Sequence, residues 1–148
     1  MKIIPANMAH IELITPLFDA YRQFYKQKSD IEGARAFISN NLTNQHASIF
    51  LALNEHDEAL GFVQLYPTWE SVTMTKRWIL YDLFVSESGR KKGIATQLMN
   101  QAKQLAKDTQ AKYIMLETAV DNTTAQRLYE SLGYDRDNEF YTYILEIN

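Results

Sequence analysis

The sequence contains no cysteine, which removes disulfide staples, thiolate metal sites and a cysteine nucleophile together. No apolar run approaches the about 18 residues that a membrane-spanning helix needs. The opening Met1-Lys2-Ile3-Ile4-Pro5 turns polar within a few positions, without the longer apolar stretch and small-residue cleavage site of a secretory signal. Cytoplasmic residence with no membrane partner is therefore expected. Glycine (5) and proline (3) are sparse in the 148 residues. No Pro/Gly/Ser-rich linker, repeat or low-complexity tract appears, so a single domain over residues 1–148 is expected. Nor is there an excess of positive charge. Fifteen Lys and Arg against 18 Asp and Glu leave a net charge of −3, whereas binding a phosphate backbone asks for a basic face. No nucleic-acid partner is expected. His10, His46 and His56 sit apart at a helix start, a loop and a turn, so no metal is assigned.

What remains is an ordinary globular balance, 46% hydrophobic and 22% charged. Lys2 to Ile4 reads as a short strand. Asn7 can cap a helix whose apolar face is Ile11, Ile14, Phe18, Tyr21 and Tyr25, with a kink or restart at Pro16. Asp30 can cap a second helix carrying Ala34, Phe37, Ile38 and Leu42. The period then changes. Ser48 to Leu53 and Leu60 to Tyr66, joined by a polar turn, predict a hairpin. Trp78 to Val85 is a nearly continuous apolar run, the pattern of a central strand buried on both faces. Ile94, Leu98, Ala102 and Leu105 mark a third helix and Tyr113 to Thr118 a strand. A fourth helix through Ala125, Leu128, Tyr129 and Leu132 ends at Gly133. Phe140 to Ile147 alternates as a last strand would. This order predicts an α/β fold, a mixed central sheet with helices on its faces.

One segment is more informative than the rest. A buried strand ends in Val85, a basic loop Ser86 to Lys92 follows, and a helix begins at Gly93-Ile94-Ala95-Thr96. The first turn of a helix leaves N–H groups unpaired and carries partial positive charge, so it attracts anions. Gly93 and the small Ala95 admit a phosphate close to the backbone, and Arg90, Lys91 and Lys92 add full charges. A tight turn with a solvated basic face accounts for the same residues. The spacing of Gly89 and Gly93 does not fit a P-loop, and no Gly-x-Gly-x-x-Gly follows any strand.

Arg90-Lys91-Lys92-Gly93-Ile94-Ala95 resembles the Arg/Gln-x-x-Gly-x-Gly/Ala signature of the GNAT superfamily of N-acetyltransferases. Asn122-Thr123-Thr124-Ala125 through Tyr129 to Gly133-Tyr134 is similar to the family's Asn-x-x-Ala-x-x-x-Tyr-x-x-x-Gly-Phe/Tyr segment. The resemblance covers nearly the whole chain and implies the GNAT fold, its sheet splayed between the fourth and fifth strands and flanked by about four helices. It implies acetyl-CoA as cosubstrate, a small amine as acceptor and a homodimer. The pyrophosphate of coenzyme A would lie on Arg90 to Thr96, and the pantetheine arm along Leu83, Phe84 and Val85 with Asn122 and Ala125. Tyr129 would face the sulfur. Relatives that acetylate polyamines often carry Glu-Asp or Glu-Asn where this chain has Tyr81-Asp82.

Acetyl transfer to an amine requires removing a proton from an ammonium of pKa about 10.4, polarising the thioester carbonyl and reprotonating the thiolate. The resemblance implies a backbone N–H near Leu83 to Val85 for the carbonyl. Tyr129, a phenol of pKa about 10, suits the acid, although it also falls in the apolar stripe of its helix. Asn122 is a natural helix-entry residue, and Thr123 with Gln126 fits a capping box. Asp82 in an apolar strand is either functional, taking the amine's proton or holding a cationic acceptor, or paired with Arg22 or Arg77. By family analogy, Tyr21, Tyr25, Tyr81 and the aromatic segment from Tyr66 to Trp78 wall the acceptor pocket. An amine N-acetyltransferase is thus expected. Acetylation of protein lysines and a non-catalytic coenzyme A sensor are the alternatives.

Overall fold

The computed structural model describes residues 1–148 and begins with β1 (Lys2–Pro5), then a 3-10 turn at Met8–His10. Asn7 caps that turn by accepting from the Ala9 amide. Helix α1 (Ile11–Phe24) follows directly and runs unbroken through Pro16, so the expected restart does not occur. Helix α2 (Ile31–Thr43) is capped by Asp30, which accepts from the Gly33 amide. Next come β2 (Ser48–Leu53), β3 (Ala59–Glu70), β4 (Thr75–Val85), a 3-10 turn at Glu87–Gly89, α3 (Ile94–Asp108), β5 (Ile114–Leu116) and α4 (Thr123–Ser131). Residues 1–116 and 117–148 form two compact units.

The sheet lies wholly in the first unit. Its order is β1-β2-β3-β4-β5, antiparallel except for the parallel β4–β5 pair. Its α1–α2 face buries Ile14, Ile38, Ile49, Leu51 and Phe62 in one cluster. Aromatic rings bind that cluster together, with Phe18 stacked on Phe37 at 5.6 Å and Tyr21 edge-on to Phe62 at 5.7 Å. Val63 and Leu65 alternate with Phe62 and Gln64 and are equally buried. They point to the opposite face, where α3 packs Leu98, Met99 and Ala102 onto the sheet.

Two sequence expectations change. The aromatic segment from Tyr66 to Trp78, expected to wall a pocket, brings only its first residue, Tyr66, to a cavity. It extends β3 and β4 into a long hairpin whose register runs to Glu70↔Thr75, with Trp69, Val72 and Met74 exposed near its tip. Phe140 to Ile147 forms no strand, and Phe140, Tyr141, Tyr143, Ile144, Leu145 and Ile147 are exposed. Alternation states which face a strand would bury, but a strand also needs an edge to pair with.

The link between α1 and α2 rests on a buried carboxylate. Asp19 Oδ1 accepts from the Asp30 amide at 2.8 Å, and Oδ2 from the Ser29 hydroxyl at 2.7 Å and Gln23 Nε2 at 3.1 Å. These donors, the Asp30 amide foremost, hold its pKa below the ordinary value. A lowered pKa stabilises the fold above the unfolded-state value and loses that contribution as pH falls through the folded-state one. Asp19→Asn sets an N–H2 against donors and should lower stability by roughly 1–3 kcal/mol at neutral pH. The expected drop in melting temperature is roughly 2–12 °C, and melting curves between pH 7 and pH 3 should show it shrinking in acid.

Candidate active site

The register of β3 on β4 contains the geometry on which the site is built. Gln64 pairs with Asp82 and Leu65 with Leu80, so Tyr81 is an extra residue with no partner in β3. Such a bulge re-aims side chains and increases local twist. Without it, Tyr81 and Asp82 would point to opposite faces. With it, both reach the α1–α2 face. There they line a cavity of about 770 Å³ together with Tyr21, Tyr25 and Phe37 of the helices and Tyr66 of β3. Tyr66 and Tyr81 meet edge to face at 5.3 Å.

Asp82 is not salt-bridged there. Arg22 pairs with Asp19 and donates to the Lys28 carbonyl, while Arg77 donates to the Tyr113 hydroxyl at 2.9 Å. Neither expected ion pair forms. Instead Gln64 Nε2 donates to Asp82 Oδ2 at 2.7 Å, and the Tyr21 hydroxyl donates to the same carboxylate and to the Tyr81 carbonyl at 3.4 Å. Burial raises the Asp82 pKa above its ordinary value, and these two hydrogen bonds oppose the rise. The amide partner was invisible in the sequence because Gln64 reads as one polar residue in an apolar strand.

The pairing of β4 with β5 stops at Leu80↔Leu116, whereas β4 continues to Val85. From Asp82 through Leu83, Phe84 and Val85 the strand keeps a partner only on the β3 side, and its other edge carries backbone groups outside the ladder. The basic loop follows at once. Lys91 and Gly93 are both left-handed, with φ of 62° and 74°. No side chain caps α3, so the first-turn amides of Ile94, Ala95 and Thr96 remain for an anion. The space above Gly93 is open, since a Cβ there would meet nothing within 4 Å. The loop expected from sequence to hold a phosphate thus leads into an uncapped helix start, and Arg90 folds back so that its Nε donates to the Val85 carbonyl at 3.3 Å.

In the second unit, Asn122 Oδ1 caps α4 by accepting from the Ala125 amide at 3.2 Å. The expected Thr123–Gln126 capping box does not form, because Gln126 Nε2 donates to the Ala119 and Val120 carbonyls. Helix α4 ends in a Schellman turn at Gly133 (φ 93°), with Tyr134 N–H donating to the Tyr129 carbonyl and Gly133 N–H to that of Glu130. The rings of Tyr129 and Tyr134 then meet at 6.1 Å, the apolar contact that such a turn brings together. Burial first, and Tyr129 second, push the Tyr134 phenol up to about 12.

A family model for the GNAT acetyltransferases matches residues 14–134. A Bacillus subtilis protein named uncharacterized N-acetyltransferase YhfO is 43% identical over 147 residues, 99% of this chain and 98% of its own. A Haemophilus influenzae protein named probable acetyltransferase is 35% identical over 90% of both chains. The crystal structure of a probable acetyltransferase superposes with a TM-score of 0.95 at 41% identity, covering 100% of this chain and 99% of that one. The chain belongs to the GNAT family of acetyltransferases. It is an enzyme of acetyl transfer.

The raised pKa of Asp82 has a thermodynamic consequence. A carboxyl that holds its proton more tightly when folded weakens the fold as pH rises from the unfolded-state value through the folded-state one. Asp82→Asn keeps an oxygen for Gln64 Nε2 and removes the buried charge. Its melting temperature at pH 7 should equal or exceed that of the wild type, and the advantage should vanish below pH 3.8, the ordinary aspartate value. A lower melting temperature at pH 7 would make Asp82 a structural anchor.

Proposed function

We propose that the chain, acting as one acetyltransferase domain over residues 1–148, moves the acetyl group of acetyl-coenzyme A to the primary amine of a small cationic acceptor. The observation that carries the acceptor class is the Tyr81 bulge. It sets Tyr81 and the Asp82 carboxylate side by side on a cavity rich in aromatic rings. The cavity's other charged residues, Arg22 and Asp30, are engaged with Asp19 and with the α2 cap. Rings with a carboxylate suit an alkylammonium through cation–π attraction and charge. Asp82 holds the ammonium and accepts its proton, leaving the amine lone pair to attack the thioester carbonyl. A carboxylate with a raised pKa is a better base for this step than an ordinary one.

For the donor, the left-handed loop and uncapped α3 suit the coenzyme's pyrophosphate, with Arg90, Lys91 and Lys92 supplying charge. The open edge at Leu83, Phe84 and Val85 suits the pantetheine arm, and a backbone N–H of that edge polarises the carbonyl. Asn122, whose oxygen caps α4, and Ala125 are given a part in coenzyme binding by the family resemblance alone. An aminoglycoside N-acetyltransferase of the same fold (TM-score 0.83, 20% identity) was crystallised with CoA, which favours coenzyme A as the carrier. Tyr129 is the acid that protonates the departing thiolate, a role resting on its place in the Asn122 to Tyr134 motif. A homodimer in the cytoplasm completes this reading, on the strength of the family resemblance.

Thiol release from acetyl-coenzyme A, followed across diamines, amino acids, drug-like amines and lysine peptides, tests the acceptor class. Small cationic amines should accelerate it, and Asp82→Asn should slow their turnover roughly 10²–10⁴-fold with little change in the KM of acetyl-coenzyme A. Acceleration by lysine peptides alone, or full turnover by Asp82→Asn, would sink the assignment. Tyr129→Phe keeps the ring against Tyr134 and removes only the hydroxyl. Its kcat should fall roughly ten- to a thousandfold, again at nearly constant KM. An unchanged kcat with chemistry rate-limiting would return Tyr129 to a purely structural role.

A further inference from the structure

Behind the cavity lies a polar chain that the reaction as proposed does not use. Asn41 ends the buried stripe of α2, one turn beyond Ile38 and two beyond Ala34, where an apolar residue would fit the pattern. Its Nδ2 donates twice, to Gln64 Oε1 and to the Tyr66 hydroxyl oxygen, both at 3.0 Å. Asn41 and Gln64 are 4% and 0% exposed, and neither lines the cavity. Buried amides without a purpose are costly, and these two have fixed orientations. Because Gln64 Oε1 accepts from Asn41, its Nε2 must face the other way, and it meets Asp82 Oδ2 at 2.7 Å. Because the Tyr66 oxygen accepts from the same nitrogen, its proton is left to be donated at the cavity wall.

We propose that Asn41 is a positioning residue for acetyl transfer. It locks the Gln64 amide so that Gln64 can only donate to Asp82, and it sets the Tyr66 hydroxyl beside the acceptor. The inference rests on the reading of Asp82 as the group that meets the amine. The chain runs from α2 through β3 to β4, three elements that no local sequence pattern would join.

Other groups face Asp82, and none substitutes for the relay. Tyr21 reaches it from α1, Tyr66 from β3 and Tyr81 from its own strand, while Arg22 and Asp30 line the same cavity. Arg22 is taken by Asp19, and Asp30 caps α2. From the far face α3 presents Leu98, Met99 and Ala102, and β5 offers Ile114 to Leu116. Neither brings a charge.

Two variants separate a lock from mere packing. Asn41→Leu removes both donors at similar volume. Asn41→Asp keeps the shape but presents an acceptor to Gln64, whose amide must then turn and aim its oxygen at Asp82. The readout is the ¹³C NMR titration of the Asp82 carboxyl in the free enzyme, beside amine kinetics. Both variants should move the Asp82 midpoint upward, Asn41→Asp further than Asn41→Leu. Each should lower kcat/KM for the amine roughly tenfold while leaving the KM of acetyl-coenzyme A unchanged. If Asn41→Leu does not fold, Asn41→Asp decides alone. An unmoved titration beside a crippled Asp82→Asn enzyme overturns the relay only. A moved titration in a protein whose Asp82→Asn variant keeps full amine turnover overturns the reading of Asp82 and, with it, the catalytic role of Asn41.

Discussion

Antiparallel pairing of β3 with β4 carries Gly61 against Val85, Phe62 against Phe84 and Gln64 against Asp82, then resumes one residue out of phase at Leu65 and Leu80. Two requirements meet at that offset. Both ends of β4 must bury the correct face, since a one-residue slip would turn the apolar set outward. Between them, the cavity needs two adjacent side chains on one side. The unpaired Tyr81 satisfies both. Phe84 still joins the α1–α2 cluster and Trp78 still reaches Thr109 at the end of α3, while Tyr81 and Asp82 share the cavity. Removing the extra residue would restore regular pairing, leaving Asp82 opposite Gln64 and taking the Tyr81 ring from the cavity wall.

The two halves of the acetyltransferase differ in how they are built. The loop from Ser86 to Gly93 and the first turn of α3 are local. Their geometry comes from left-handed residues and a helix start within one short stretch of chain, and for that reason they could be read from sequence. The cavity between the helices and the sheet is non-local. It takes rings from α1 and α2, a tyrosine from β3 and a carboxylate from β4, and only the folded sheet brings them together.

Legibility followed this division. The helices, their caps at Asp30 and Asn122, the Gly133 terminus and the basic loop were all visible, because capping, periodicity and glycine conformation act over a few residues. Asp82 was visible as a chemical oddity, but its partners were not. The expected choices, Arg22 and Arg77, followed charge, whereas the fold supplied the neutral amide of Gln64. The bulge left no trace, since Tyr81 is an ordinary strand residue. The reach of the β3–β4 hairpin was hidden because no strand pattern extends either strand through the residues from Pro67 to Arg77. The final alternation from Phe140 was read too generously, because periodicity records faces and says nothing of a pairing edge.

The placement of the aromatic walls bears on how such an enzyme diversifies. Tyr25 and Phe37 line the cavity yet are largely exposed, 55% and 49%, and they stand at the end of α1 and on α2, outside the β-ladder. Exchanges at half-exposed positions cost less than exchanges in the buried cluster, although Phe37 would give up its stack on Phe18. The cavity's outer wall can therefore be reshaped through α1 and α2 while the bulge and the buried amides stay fixed.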